Sequence, residues 1–160
     1  RRRPAAMGSG ASKRSESHTP PTGKRKKNDP RTQLEKLVGN GNVKGVAQLL
    51  SKQTELTNSA LDERTGTRAI HIACKIGDKD MIRELMKRNA FLNQKDNKGA
   101  TALMLASAAG HDKIVKLIVD GGADVRIKDR NQETALEYAQ KSGKGKVEQL
   151  LQLYACEYTW

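Results

Sequence analysis

The sequence predicts an all-α repeat solenoid, built of helix-turn-helix units that each end in a β-hairpin-like finger, behind a disordered basic N-terminal arm. Two observations predict the solenoid. "RAIHIACKIGDKDMIRELMKRNAFLNQKD", from Arg68, superposes without gaps on "TALMLASAAGHDKIVKLIVDGGADVRIKD", from Thr101, and then on "TALEYAQKSGKGKVEQLL", from Thr134, at an offset of 33 each time. Key small residues also fall in register: Gly77, Gly110 and Gly143, Ala73, Ala106 and Ala139, and Ala90 with Ala123, while Glu63 aligns with Asp96 and Asp129. The third observation concerns the arm. Residues 1–31 carry ten Lys/Arg against Glu16 and Asp29, so +8 of the total +12 sits in a stretch too polar to repay the cost of ordering a backbone.

The first repeat, near 32–62, is the weakest copy. "GNVKGVAQLL" puts Gly41 in the turn role 36 residues before Gly77, which implies about three extra residues within "TELTNSALDE". The second and third repeats lie near 63–95 and 96–128. In the third, Leu103, Ala106 and Ala109 recur at helical spacing, and small side chains there let a second helix come close. Gly110 ends that helix in the left-handed conformation. Ile114, Val115, Leu117 and Ile118 give the following helix its buried stripe, ended by Gly121 and Gly122. Ala123, Val125 and Ile127 alternate with Asp124, Arg126 and Lys128 as an extended finger. The fourth repeat runs near 129–155, within a repeat domain of 32–160. One such unit cannot bury its own face, so stacking is required.

Composition narrows the function. The two cysteines, Cys74 and Cys156, have no CxxC spacing, which suggests neither a disulfide framework nor a zinc site and fits a reducing compartment. The longest nearly apolar run, Ala102 to Ala109, is far too short to span a bilayer. "GNGNVKG" (39–45) and "SGKGKVE" (142–148) resemble phosphate loops only superficially; both lack the required glycine spacing, and both contain a turn glycine of the repeat. His18, His71 and His111 assemble with no nucleophile or carboxylate pair, so neither enzymatic activity, nor a cofactor, nor a bound metal is expected.

Residues 96–111, "DNKGATALMLASAAGH", carry a resemblance. They resemble the ankyrin repeat, whose pattern runs Asp-x-x-Gly-x-Thr-Pro-Leu-His-x-Ala-Ala-x-x-Gly-His. The resemblance covers about 32–155, in four repeats with the outer two as caps. Ala69, Ala102 and Ala135 replace the family's Pro, Arg68 replaces one Thr, and Met104 and Glu137 replace the His that His71 retains. Losing that His should weaken the ties between neighbouring turns. The resemblance implies a protein-protein interaction adaptor or scaffold, with its partner on the concave face of fingertips and first helices. Mapped by position, that surface is Arg64, Thr65, Thr67, Lys75 and Ile76, then Asn97, Lys98, Ala100, Ala108 and Ala109, then Arg130, Asn131, Glu133, Lys141 and Ser142. Five basic residues against one acidic favour an acidic or phosphorylated segment as partner, and Ala100, Ala108 and Ala109 form a shallow apolar gap. Asn93 occupies a finger position that resembles the substrates of an asparagine hydroxylase; the competing reading is a turn-stabilising side chain.

The arm has three readings. Lys24, Arg25, Lys26 and Lys27, with Lys13 and Arg14 upstream, resemble a nuclear import signal, giving a nuclear and cytoplasmic protein. The same cations could contact phosphates in a nucleic-acid complex, ribonucleoprotein or chromatin, although no aromatic residue among 1–31 offers a stacking platform. "MGSGAS" (7–12) matches an N-myristoylation acceptor, with Gly8 lipidated and the chain at a membrane surface, provided Met7 initiates and is removed.

Overall fold

A computed structural model describes residues 29–157. Eight α-helices follow in four antiparallel pairs: α1 (Pro30–Gly39) with α2 (Val43–Lys52), α3 (Ala69–Ile76) with α4 (Lys79–Lys87), α5 (Ala102–Ala109) with α6 (Asp112–Asp120), and α7 (Ala135–Lys141) with α8 (Gly145–Glu157). The first helices of the pairs stack in succession, α1 on α3, α3 on α5 and α5 on α7, as an inner layer. The second helices lie outside. The extra residues of the first connection form a 3-10 turn at Thr54–Thr57.

α1 starts earlier than the sequence suggested. Asp29 caps it, accepting from Arg31 N at 2.9 Å, and Pro30 pre-sets the first turn. Pro30 and Arg31, expected in the arm, are therefore helical. α3 and α5 end at left-handed glycines, Gly77 (φ 87°) and Gly110 (83°), while in α1 and α7 the left-handed glycine, Gly41 (66°) or Gly143 (65°), follows a cap at Asn40 or Ser142. Three of these glycines also receive the next repeat. A Cβ on Gly77 would stand 2.7 Å from the His111 ring, one on Gly110 2.7 Å from the Lys144 stem, and one on Gly41 3.3 Å from the Asp78 carboxylate.

The core is one continuous stack running from Leu34 and Val38, through Ile70, Met81, Ile82 and Leu85, then Leu103, Met104, Ile114, Val115 and Ile118, to Val147 and Leu151. Small side chains at Ala73, Ala106 and Ala139 are wholly covered, which is what lets the inner helices approach. Two expectations need correction. Leu117 is half-buried, and Val119 takes the covered position beside Ile118, because the α6 stripe is rotated toward its C-terminal end. The fingers form no strand among the described residues; the single bridge is Asp62 with Thr67. The arms of each finger are too short for a ladder, and side chains satisfy the backbone instead. Asn58 shows how, accepting from Phe91 N at 2.8 Å and donating to Asn89 O at 3.0 Å in the next repeat.

Candidate partner-binding face

The fingertips are hydrogen-bonded to one another. Asn97 N donates to Thr65 O (2.8 Å), Asn97 Nδ2 to Arg64 O (2.8 Å) and Glu63 O (3.2 Å), and Arg130 N to Lys98 O (3.3 Å). Asn97 thus fixes one tip against the preceding one. Gly66 (φ 66°) and Gly99 (φ 84°) permit this close stacking, since a Cβ there would lie 2.6 Å from Asn97 Oδ1 and 2.7 Å from Arg130 N.

Within each tip an aspartate holds the turn. Asp96 Oδ1 accepts from Lys98 N and Ala100 N, both at 2.8 Å, while Asp129 Oδ1 accepts from Asn131 N (2.8 Å) and Glu133 N (2.9 Å). Asp62 accepts from Arg64 N and Thr65 Oγ1, each at 3.0 Å. Arg64, Lys98 and Arg130, one per tip and all exposed, have no ion-pair partner among the described residues, so each tip presents one cation outward.

The inner helices add the apolar part. Lys75 and Ile76 are exposed on α3, Ile76 by 47%, and Ala108 and Ala109 are half-exposed on α5. Ala100 does not join them. It is 2% exposed, because its N–H closes the turn onto Asp96, so the apolar gap consists of Ala108 and Ala109 alone. Thr67 and Glu133 are also half-buried. Lys141 pairs with Glu133, which holds its ammonium in the charged form beyond the usual lysine range and neutralises its charge on this face. Ser142 and Asn131 are exposed.

Three residues of this face were missed by the mapping: Ile72, Leu105 and Tyr138, half-buried and one turn before Ile76, Ala109 and Ser142 on the same helical stripe. Tyr138 marks the side on which they sit, because its hydroxyl donates to Asp129 Oδ2 of the fingertip at 2.9 Å. Burial, together with that bond, raises the Tyr138 pKa to about 12. Burial pulls Asp129 upward, but bonds from Glu133 N, Tyr138 and Asn131 N outweigh it and leave the carboxyl below its ordinary range.

His71 ties helix to finger. Arg68 N donates to its Nδ1 (3.2 Å), and Nε2 lies 3.0 Å from Gln94 O, an arrangement that a neutral ring protonated on Nε2 satisfies. In the later repeats Met104 Sδ accepts from Thr101 N (3.4 Å) and Glu137 Oε2 from Thr134 N (2.5 Å), and neither bonds onward to a finger. Asn93 takes the turn-stabilising role, bracketing Gly122 O (3.4 Å) and Asp124 N (2.8 Å) as Asn58 brackets the repeat before.

A family model describing ankyrin repeats (3 copies) matches residues 34–129. The chain belongs to the ankyrin-repeat family. Ankyrin repeats are protein-protein interaction modules, and proteins of the family are typically non-enzymatic. No curated protein matches the chain. Around these ankyrin repeats, no described helix is long and apolar enough to cross a membrane, and no three His, Cys, Asp or Glu side chains gather as a metal site among the described residues. Cys74 is buried and Cys156 exposed. Gly8, Lys13, Arg14 and Lys24 to Lys27 lie outside the described residues.

Proposed function

We propose that this ankyrin-repeat protein is a non-enzymatic adaptor or scaffold that holds an acidic segment of a protein partner against its fingertips and inner helices. The basic arm then decides where this happens, with nuclear import through Lys13, Arg14 and Lys24 to Lys27 as its role. The observation that carries the reading is the row of unpaired cations Arg64, Lys98 and Arg130 on the tips, together with exposed Ile76 and half-exposed Ala108 and Ala109 on the inner helices. Exposed cations attract and orient an acidic partner, and the apolar side chains supply contact that salt does not screen.

The test separates the face from the arm. Binding of the full chain to its partner should fall in Arg64→Glu/Arg130→Glu with the arm intact, and should largely survive about 0.3 M salt. Binding that collapses with salt, and that is lost only when Lys24, Arg25, Lys26 and Lys27 become Ala, would instead support the second reading. That reading is a structural subunit of a nucleic-acid complex, favoured by the +8 charge of residues 1–31.

A further inference from the structure

The spacing of the tip cations defines the kind of acidic segment that fits them. Neighbouring fingers touch at their tips, Asn97 N on Thr65 O and Arg130 N on Lys98 O, one contact per repeat. α3 packs on α5 and α5 on α7, and helices packed side by side lie about 8–10 Å apart, which sets the step from one finger to the next. Arg64, Lys98 and Arg130 therefore form a ladder with a rung at each step.

Among extended conformations, one has this repeat. A polyproline II helix rises about 3.1 Å per residue with three residues per turn, so residues i, i+3 and i+6 share one side at intervals of about 9.3 Å. In a β-strand, by contrast, residues three apart point to opposite faces. We propose that the fingertip ladder reads a polyproline II segment with carboxylates at every third position, running across the repeats from Arg64 past Lys98 to Arg130. Ile76, Ala108 and Ala109 lie at the far ends of α3 and α5, about 10 Å along the helix from the fingers, and stay outside this segment. A peptide is favoured over a nucleic-acid strand because the tip residues Arg64, Thr65, Asn97, Lys98, Arg130 and Asn131 include no aromatic on which a base could stack.

This inference rests on the reading of the face as a site for an acidic protein segment, and one experiment tells the two failures apart. Fluorescence anisotropy would compare full-length protein binding a labelled peptide of Glu-Pro-Pro triplets with a peptide of equal composition whose glutamates are adjacent. The expected result is about tenfold tighter binding of the triplet peptide, abolished in Arg64→Ala/Lys98→Ala/Arg130→Ala with an unchanged circular dichroism spectrum. Equal affinity for both peptides, lowered for both by that variant, would overturn the polyproline register and leave an acidic partner on this face. Affinity that the face variant leaves intact, and that substitution of Lys24 to Lys27 removes, would overturn both. Displacement of the triplet peptide by poly-uridine RNA at matched charge, lost in the face variant, would overturn the peptide in favour of a nucleic-acid strand.

Discussion

At the scale of single residues, Arg68 shows how a departure from the repeat pattern becomes a structural device. Where the pattern has Thr, its guanidinium donates to Asn58 O (3.0 Å), Gly66 O (3.2 Å) and Lys95 O (3.1 Å), joining the first connection, its own fingertip and the following finger. Arg68→Ala leaves three carbonyls without a charged donor, and urea unfolding should show a loss of about 2 kcal/mol. His71 carries a pH dependence. Burial lowers its pKa below 6.5, so the unfolded chain binds a proton more readily than the folded one. Its contribution is therefore fully present above about pH 6.5, and is lost as pH falls through the lower folded value, where a second ring proton would face Arg68 N. The melting temperature should drop between pH 7.5 and 5.5, and His71→Gln should flatten that slope. Gln132 sits at φ 65° where Gly66 and Gly99 occupy the two earlier tips. Gln132→Gly should raise stability by about 0.5–1 kcal/mol in thermal melts by relieving that strain.

At the scale of elements, the helices were legible because their information is local. Turn glycines, helical spacing of apolar residues and the 33-residue offset specify each pair before any tertiary contact exists. Which apolar residues lie deepest was less legible. Leu117 and Ile118 are adjacent on a short amphipathic helix, and a small rotation of α6 exchanges their burial. Ile118→Ala should cost about 2–5 kcal/mol in denaturant unfolding, and Leu117→Ala distinctly less. The candidate face was half legible. Its fingertip cations follow from alignment, but Ala100 looks like any exposed alanine until the turn closes on Asp96. Ile72, Leu105 and Tyr138 escape a sequence reading because a half-buried stripe has the same periodicity as a buried one. The hook at Asn58 had no signal, and Asn93 was legible as a turn-stabilising side chain without its partners, which are about thirty residues away and meet these side chains only after stacking.

At the scale of the whole molecule, the side-chain ties are unevenly distributed. The first three repeats are laced by Arg31 to Glu63, Arg88 to Ala47 O, Asn58, Asn93, Lys95 to Lys128 O and His111 to Lys75 O. Between the third and fourth, Tyr154 to Asp120 is a side-chain tie, and the buried apolar set of the last pair is Ala135, Ala139, Val147 and Leu151. A stack whose stability is a sum of repeats and interfaces opens first where both are smallest. Native-state hydrogen exchange should therefore find lower opening free energies for α7 and α8 amides than for α3 and α5; equal protection throughout would mean that the array opens as one unit.

Because His111 and Lys144 lean back onto glycines of the preceding repeat, and Asn97 and Arg130 onto glycines of the preceding tip, the stack has a grammatical direction: each unit is written to agree with the one before it. Gln132 ends that agreement, since its Cβ fills the space where Gly66 and Gly99 admit a neighbour. Anyone splicing a further ankyrin unit after α8 would have to restore glycine at 132 first, whereas shortening the array from that side asks for no such edit.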